Sequence, residues 1–339
     1  METKLLKPNN KSIDLACELL KQGKIVAVPT ETVYGLAGDA KNAEAIKKIF
    51  TAKGRPQDNP LIVHISNFEM LKNIVSNVPQ KAKLLAEHFW PGPLTIIFPK
   101  GDGVCAETCA GLDSVGVRMP ANKIARDIIE KSGVAFAAPS ANISGKPSPT
   151  SAQDVFVDMN GKIPLIIDGG DSQIGVESTV VSCLEDTPVI LRPGAITKEM
   201  MEKVLNSEVK IAKAITEDIK TDEKVLSPGM KYKHYSPNAN VYIVKGTFDK
   251  FKNFVENQKD DGIFALVFDG EEKSLSVSAL CYGKSEKPET QAHNLFKKLR
   301  ELDKLGAKTV YARCPEATGV GLAVYNRLIR SAGFKIIEL

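Results

Sequence analysis

KGRPQDNPLIVHI, residues Lys53 to Ile65, hands a compact basic element to an apolar strand. Lys53 and Arg55 flank Gly54, and Pro56 and Pro60 bracket Asp58 and Asn59. Ahead of it, Asp39 and Asn42 open a short helix carrying Ile46, Ile49 and Phe50, and behind it LIVHI reads as a strand. Helix, turn and buried strand in succession are the signature of an α/β chain. The charges admit two readings, a solvated surface turn or a holder for a multiply charged anion. Arg55 is a planar fork suited to phosphate or carboxylate and Lys53 a compact point charge. The two prolines stiffen the segment and favour the second reading.

The same alternation extends outward on both sides. Ile13, Ala16, Cys17 and Leu20 fall at helical spacing over residues 12–22, closed by Gly23, and KIVAVP follows as a buried strand. METKLL reads as a polar lead into that helix. LTIIF and SVGVRM are two more strands, Asn122 caps NKIARDIIEKSG, and VAFAAP, PLIID, STVVSCL and TPVILRP add strands. Thr197 caps a helix reaching about Leu205. Early alternation followed by runs of strands predicts a mixed sheet with flanking helices over residues 1–208. Residues 209–237 are charged, lack apolar periodicity and end in SPGMKYKHYSP, which reads as a linker. Residues 238–339 alternate again, with VYIV, IFALVF, SVSALCY, TVYAR and KIIEL as strands, and predict a smaller α/β domain.

Composition narrows the functions open to such a chain. Its 339 residues suit about two domains, and 43% hydrophobic with 25% charged residues is an ordinary globular balance. A net charge of +4 permits a local basic site without implying nucleic acid. The six cysteines form no CxxC and the four histidines complete no ligand set, so a structural zinc and a disulfide scaffold are both unexpected. The reading is a reduced, cytoplasmic protein, with no signal-peptide block and no membrane span.

The chemically suggestive residues cluster near strand ends, where open α/β sheets place ligands. PTETVYGL offers Thr30, Glu31, Thr32 and Gly35, either as a capping turn or as a ligand contact. His64 on its apolar strand reads first as a satisfied core histidine, and HFWPGPLT as a packed corner. AGLDSVGVRMP puts Ser114 and Arg118 on one strand face. A buried Arg118 needs an anionic partner, either a protein carboxylate or a substrate carboxylate. APSANISGKPS supplies Ser140, Asn142, Ser144 and Ser148 around Gly145, a small-hydroxyl nest for an anion. No GxxxxGK[ST] occurs, so this is not a Walker A loop. VESTVV and ILRPG add Ser178 and Arg192. Lys53, Arg55, Arg118 and Arg192, near strand ends, make a cationic pocket fit for a triphosphate and a carboxylate. Without an evident covalent nucleophile, such a pocket works by positioning and charge stabilisation.

PTETVYGL, KGRPQDNPL, FWPGPLT, AGLDSVGVRMP, PSANISG, ESTVV and LRPG, in this order, resemble the YrdC-type threonylcarbamoyl-AMP synthases. SPGMKYKHYSP ahead of a small α/β domain resembles the long, two-domain form, and the likeness covers nearly the whole chain. Ala37-Gly38 stands where the family usually has Gly-Ala, and RMPANK lacks the His-Pro that often follows the arginine strand. The resemblance implies a YrdC-like twisted mixed sheet and a Rossmann-like C-terminal domain. It implies a nucleotidyltransferase that makes threonylcarbamoyl-adenylate and pyrophosphate from L-threonine, bicarbonate and ATP. A downstream threonylcarbamoyl-transferase complex would then modify the adenosine next to the tRNA anticodon. Carried over by residue, Thr32, His64, Arg118, Ala138 and Ser178 would contact threonine. Arg55, Asn59, Ser114, Ser140, Asn142, Ser148, Arg192 and Tyr235 would contact ATP, with Lys53, Arg55 and Arg118 as the catalytic cations and Tyr235 in a lid. Magnesium (Mg2+) would be held mainly by phosphate oxygens and water. Two other readings stand beside this one: weak RNA binding by the basic cleft, with a steep salt dependence, and a different carbamoyl- or acyl-adenylate former.

Overall fold

Capping residues and short apolar runs build the elements of this chain. In the computed structural model, which describes residues 2–215 and 235–339, the first part contains β1 (Lys4–Leu6), α1 (Asn10–Lys21), β2 (Val26–Val28), β3 (Gly35–Asp39) and α2 (Ala43–Lys53). Then come β4 (Ile62–His64), α3 (Phe68–Ile74), α4 (Gln80–Phe89), β5 (Leu94–Pro99), β6 (Ser114–Arg118) and α5 (Lys123–Ser132). It closes with β7 (Phe136–Ala137), α6 (Ala152–Met159), β8 (Leu165–Ile167), β9 (Thr179–Ser182), β10 (Val189–Arg192), α7 (Lys198–Leu205) and β11 (Lys210–Ile211). Asn9 starts α1 with a capping box to Ser12, and Asn122 caps α5 by accepting from the N–H groups of Ile124 and Ala125. Gly133 ends α5 in the left-handed conformation.

The described strands form an eleven-stranded mixed sheet in the order β1-β8-β2-β3-β7-β4-β6-β5-β9-β10-β11. β4 runs parallel to β6, so His64 lies beside Arg118, while β3 and β5 pair antiparallel to their neighbours β2 and β6. Ala16, Leu20, Ile128 and Ile129 of α1 and α5 pack onto Val26, Val28, Leu165 and Ile167. Burying each of these Val, Leu or Ile side chains contributes about 1.5–3 kcal/mol before chain entropy is counted.

The mixed sheet with flanking helices is as expected from sequence, and the differences are local. METKLL is not merely a lead: Lys4–Leu6 pairs with β8 at the sheet edge. GLAGD, expected to be the end of a turn, is the strand β3. Helices α3, α4 and α6 were not anticipated. Lys53 is not in a loop. It is the last residue of α2, because AEAIKKIFTAK keeps helical periodicity until Gly54 turns left-handed at φ 61°. Within the stretch read as a linker, Lys210 and Ile211 pair with β10. Residues 216–234, with most of SPGMKYKHYSP, lie outside the described residues.

The second unit has its own core. It contains β12 (Asn240–Lys245), α8 (Phe248–Glu256), β13 (Ile263–Val267), β14 (Ser278–Cys281), α9 (Pro288–Lys304), β15 (Thr309–Arg313), α10 (Gly319–Ser331) and β16 (Ile336–Glu338). Its five strands are all parallel, in the order β14-β13-β15-β12-β16. Phe251 and Val255 of α8 bury against Val244, Ala265, Val267 and Tyr311. Among the described residues, no helix is long and apolar enough to cross a membrane.

Candidate active site

The PTET turn between β2 and β3 is folded inward by its own hydroxyls. Thr30 Oγ1 accepts from the N–H groups of Thr32 and Val33 and donates to the Val33 carbonyl. That leaves Thr32 to supply the proton in the 2.9 Å contact between the two hydroxyls. Thr30, Glu31 and Thr32 are all buried. Arg118, at the end of β6, reaches this turn: Nη2 donates to Glu31 Oε1 at 2.6 Å and Nη1 to Thr32 Oγ1 at 2.8 Å. Its Nε donates to the Gly92 carbonyl at 3.3 Å. One anionic partner of Arg118 is therefore a protein carboxylate, Glu31. Burial alone would raise the Glu31 carboxyl, but the Arg118 charge and the backbone donors outweigh it and hold it below the usual range.

His64 is buried beside this pair, stacked on Phe136 with ring centroids 5.5 Å apart. Nδ1 lies 3.1 Å from the Ile62 carbonyl, which can only accept, so the ring proton sits there. Burial first, and then the Arg118 charge, push its pKa down to about 3, so the ring is neutral. Ala138 completes this corner, its N–H donating to the same Ile62 carbonyl.

Lys53 anchors the PSAN loop. Its buried ammonium donates to the carbonyls of Ser140 and of Asn142, the latter at 2.8 Å. Ser140 Oγ donates to Asn142 Oδ1. The loop is tied to the PTET turn by the Gly35–Ser140 bridge and by the Ala141 N–H to the Tyr34 carbonyl. A third group lies on the far strands. Arg192, ending β10, donates to the Ser178 carbonyl at 3.1 Å and to its hydroxyl at 3.2 Å, and that hydroxyl is 2.8 Å from Thr95 Oγ1. Ser148 donates to Glu177.

The remaining expected residues are more scattered. Arg55 follows the Gly54 turn with its guanidinium 5.7 Å from the Phe50 ring centre. Asn59 is 1% exposed; its Nδ2 donates to Asp58, and its Oδ1 has no hydrogen-bond partner among the described residues. A buried acceptor left open in this way suits a ligand N–H or O–H. Ser114 shares a face with Arg118 but begins the strand that Arg118 ends. Tyr235 belongs to the second unit, buried against Phe296 at 5.1 Å and under Arg327 at 5.8 Å. Thr95 and Glu177 were not expected as site residues, and Glu31 only as a polar group of the PTETVYGL turn, although all three lie inside the motifs that carry the family resemblance.

Arg118 and Arg192 end two strands of an open mixed sheet, each beside a short hydroxyl, and the chain is an α/β protein of that mixed-sheet class. Residues 18–194 match the Sua5–YciO–YrdC family, described as "Telomere recombination", and residues 196–333 match "Threonylcarbamoyl-AMP synthase, C-terminal domain". The chain belongs to the Sua5–YciO–YrdC family. It is 45% identical over 336 residues to the threonylcarbamoyl-AMP synthase of Pyrococcus abyssi, covering 96% of each chain. The Bacillus subtilis threonylcarbamoyl-AMP synthase is 44% identical over 337 residues, covering 98% of this chain and 96% of that one. Among solved structures, Pyrococcus abyssi Sua5 complexed with L-threonine superposes with a TM-score of 0.90 at 44% identity, covering 100% of this chain and 99% of that one.

Proposed function

We propose that this protein is a threonylcarbamoyl-AMP synthase: it converts L-threonine, bicarbonate and ATP to threonylcarbamoyl-adenylate and pyrophosphate. The observation that carries this reading is the full-length likeness to a Sua5 that binds L-threonine, together with a buried Arg118 presented beside Thr32 and His64. A guanidinium has five N–H donors. Three are used by Glu31, Thr32 and Gly92, which leaves two for a substrate carboxylate.

In this reading Thr32, His64, Ala138 and Ser178 surround the threonine whose carboxylate Arg118 holds. The neutral His64 adds no second charge, so Arg118 and Glu31 together leave the pocket balanced. The threonine amine and bicarbonate form a carbamate with loss of water. A carbamate oxygen then attacks the α-phosphorus, and pyrophosphate leaves. Arg55 and Arg192 hold phosphate oxygens, Asn59 accepts from the nucleotide, and Ser114, Ser140, Asn142 and Ser148 supply short polar contacts. Lys53 serves the phosphates by fixing the Ser140–Asn142 loop and by its charge. Magnesium arrives with the triphosphate as part of the substrate and neutralises its charge. The described residues bring together no group of three His, Cys, Asp or Glu, so phosphate and water oxygens would be its principal ligands. The product passes in the cytosol to a transferase complex acting on tRNA.

The test is pyrophosphate release from ATP and magnesium by the full chain. Release that requires both threonine and bicarbonate is expected. Release indifferent to either would overturn the assignment.

A further inference from the structure

Glu31 has a position that neither the anion chemistry nor the threonine contacts call for. It is 6% exposed, and each of its carboxylate oxygens is engaged in a different direction. Oε1 takes the 2.6 Å bond from Arg118 Nη2, and Oε2 accepts the backbone N–H of Asn122 at 3.2 Å. Asn122 in turn caps α5 through its side chain. One carboxylate thus joins the turn after β2, the last residue of β6 and the start of α5. Arg118 is pulled on three sides, by Glu31, Thr32 and Gly92. Of the three, only Glu31 carries charge, and a guanidinium keeps one orientation best against a charged, well-aimed acceptor.

We propose that Glu31 is the positioning residue of the threonine site: it fixes the plane of the Arg118 guanidinium so that the two remaining N–H groups face the substrate carboxylate. The proposal rests on the reading of Arg118 as the carboxylate holder. Glu31 touches no substrate atom itself. It acts by keeping Arg118 from swinging and by making the empty pair electrically neutral. A substrate of zero net charge, such as the zwitterion of an α-amino acid, then enters without leaving an unbalanced buried charge. The arrangement predicts an effect on threonine and not on ATP, because Glu31 bonds to none of the residues expected to hold phosphates.

Titration calorimetry of threonine into the full chain, paired with steady-state pyrophosphate release, tests it. Wild-type protein is measured first; no threonine binding there would sink the functional reading as a whole. Given wild-type binding, Glu31→Gln keeps the size and removes the charge. It is expected to weaken threonine binding and raise the threonine KM by about tenfold or more, with the ATP KM within about twofold. A merely structural role would lower thermal stability without that split between substrates. Should Glu31→Gln not fold, Glu31→Asp retains the charge but is one methylene too short to span Arg118 and Asn122, and should weaken threonine binding in the same sense. Wild-type threonine affinity in a folded Glu31→Gln, or in Glu31→Asp where that variant is the one measured, overturns the proposal.

Discussion

Lys53 and Arg55 are two residues apart, and the turn at Gly54 sends them to different tasks. Lys53 spends its donors on loop carbonyls, whereas Arg55 leaves the helix and lies against Phe50. Arg55→Lys keeps the charge and loses the fork, so the ATP KM should rise by about tenfold with little change for threonine. Unchanged ATP kinetics would remove Arg55 from the nucleotide site. His64 makes a prediction in acid. Its folded pKa, about 3, lies below the unfolded value near 6.5, so the unfolded chain binds the extra proton between those values. Its contribution to stability is whole above about pH 6.5 and is lost progressively as pH falls towards 3. Glu31, also depressed, adds its loss below its ordinary value of 4.5. The urea midpoint of His64→Gln should therefore fall less between pH 7 and pH 4 than that of the wild type. Equal slopes would contradict a shielded, neutral histidine. Most motif-bearing residues of the site were legible in sequence; the bond between Glu31 and Arg118 was not. It joins residues 87 apart, and only the strand order between β2 and β6 brings them together.

At the scale of elements, strands rich in Val and Ile announced themselves, and β3 did not. GLAGD has no β-branched residue because its neighbours leave no room: a Cβ on Gly38 would lie 3.1 Å from Ile49 and 3.2 Å from Ile25. A strand of small residues in the middle of a sheet looks like a turn when read alone. Glycines at other element ends differ in what they bear. Gly54 has a left-handed φ of 61° with nothing within 4 Å of an added Cβ, so Gly54→Ala meets only backbone strain, about 1 kcal/mol. Gly194 is different, since a Cβ there would come within 2.4 Å of the Thr179 N atom and 2.9 Å of the Glu177 carbonyl. Gly194→Ala must displace the strand ends that bring Ser178 and Arg192 together. Urea unfolding should rank it well below Gly54→Ala in stability, and equal losses would refute that reading of the close approach.

At the scale of the whole molecule, two separate cores predict two unfolding events. The mixed sheet buries α1 and α5 on one cluster, and the parallel sheet buries α8 on another. Calorimetry of the full chain should depart from a two-state transition. Saturating ATP and threonine should raise the transition of the first unit, by about 2.7 kcal/mol of stabilisation for a ligand at a hundred times its Kd. A single cooperative transition, with or without ligands, would show that the two cores unfold as one. The division into two α/β units was readable because helical and strand periods resume after residue 238. The segments Gly145–Pro147 and Ile174–Val176, which group with the second unit, were not, because assignment to a unit depends on packing and leaves no periodic trace in so few residues.

Trp90 is the chain's one tryptophan, and it closes the corner after α4 by donating from Nε1 to the Leu94 carbonyl at 2.7 Å. Two residues on, the Gly92 carbonyl takes the Nε bond of Arg118. The indole is 6% exposed and lies 6.1 Å from Phe68 and 6.3 Å from Phe98, ring centre to ring centre. The molecule thus carries a built-in optical reporter, wired through two peptide units to the Arg118 guanidinium. Occupancy of that corner should be readable as a change in intrinsic emission, with no dye and no coupled assay.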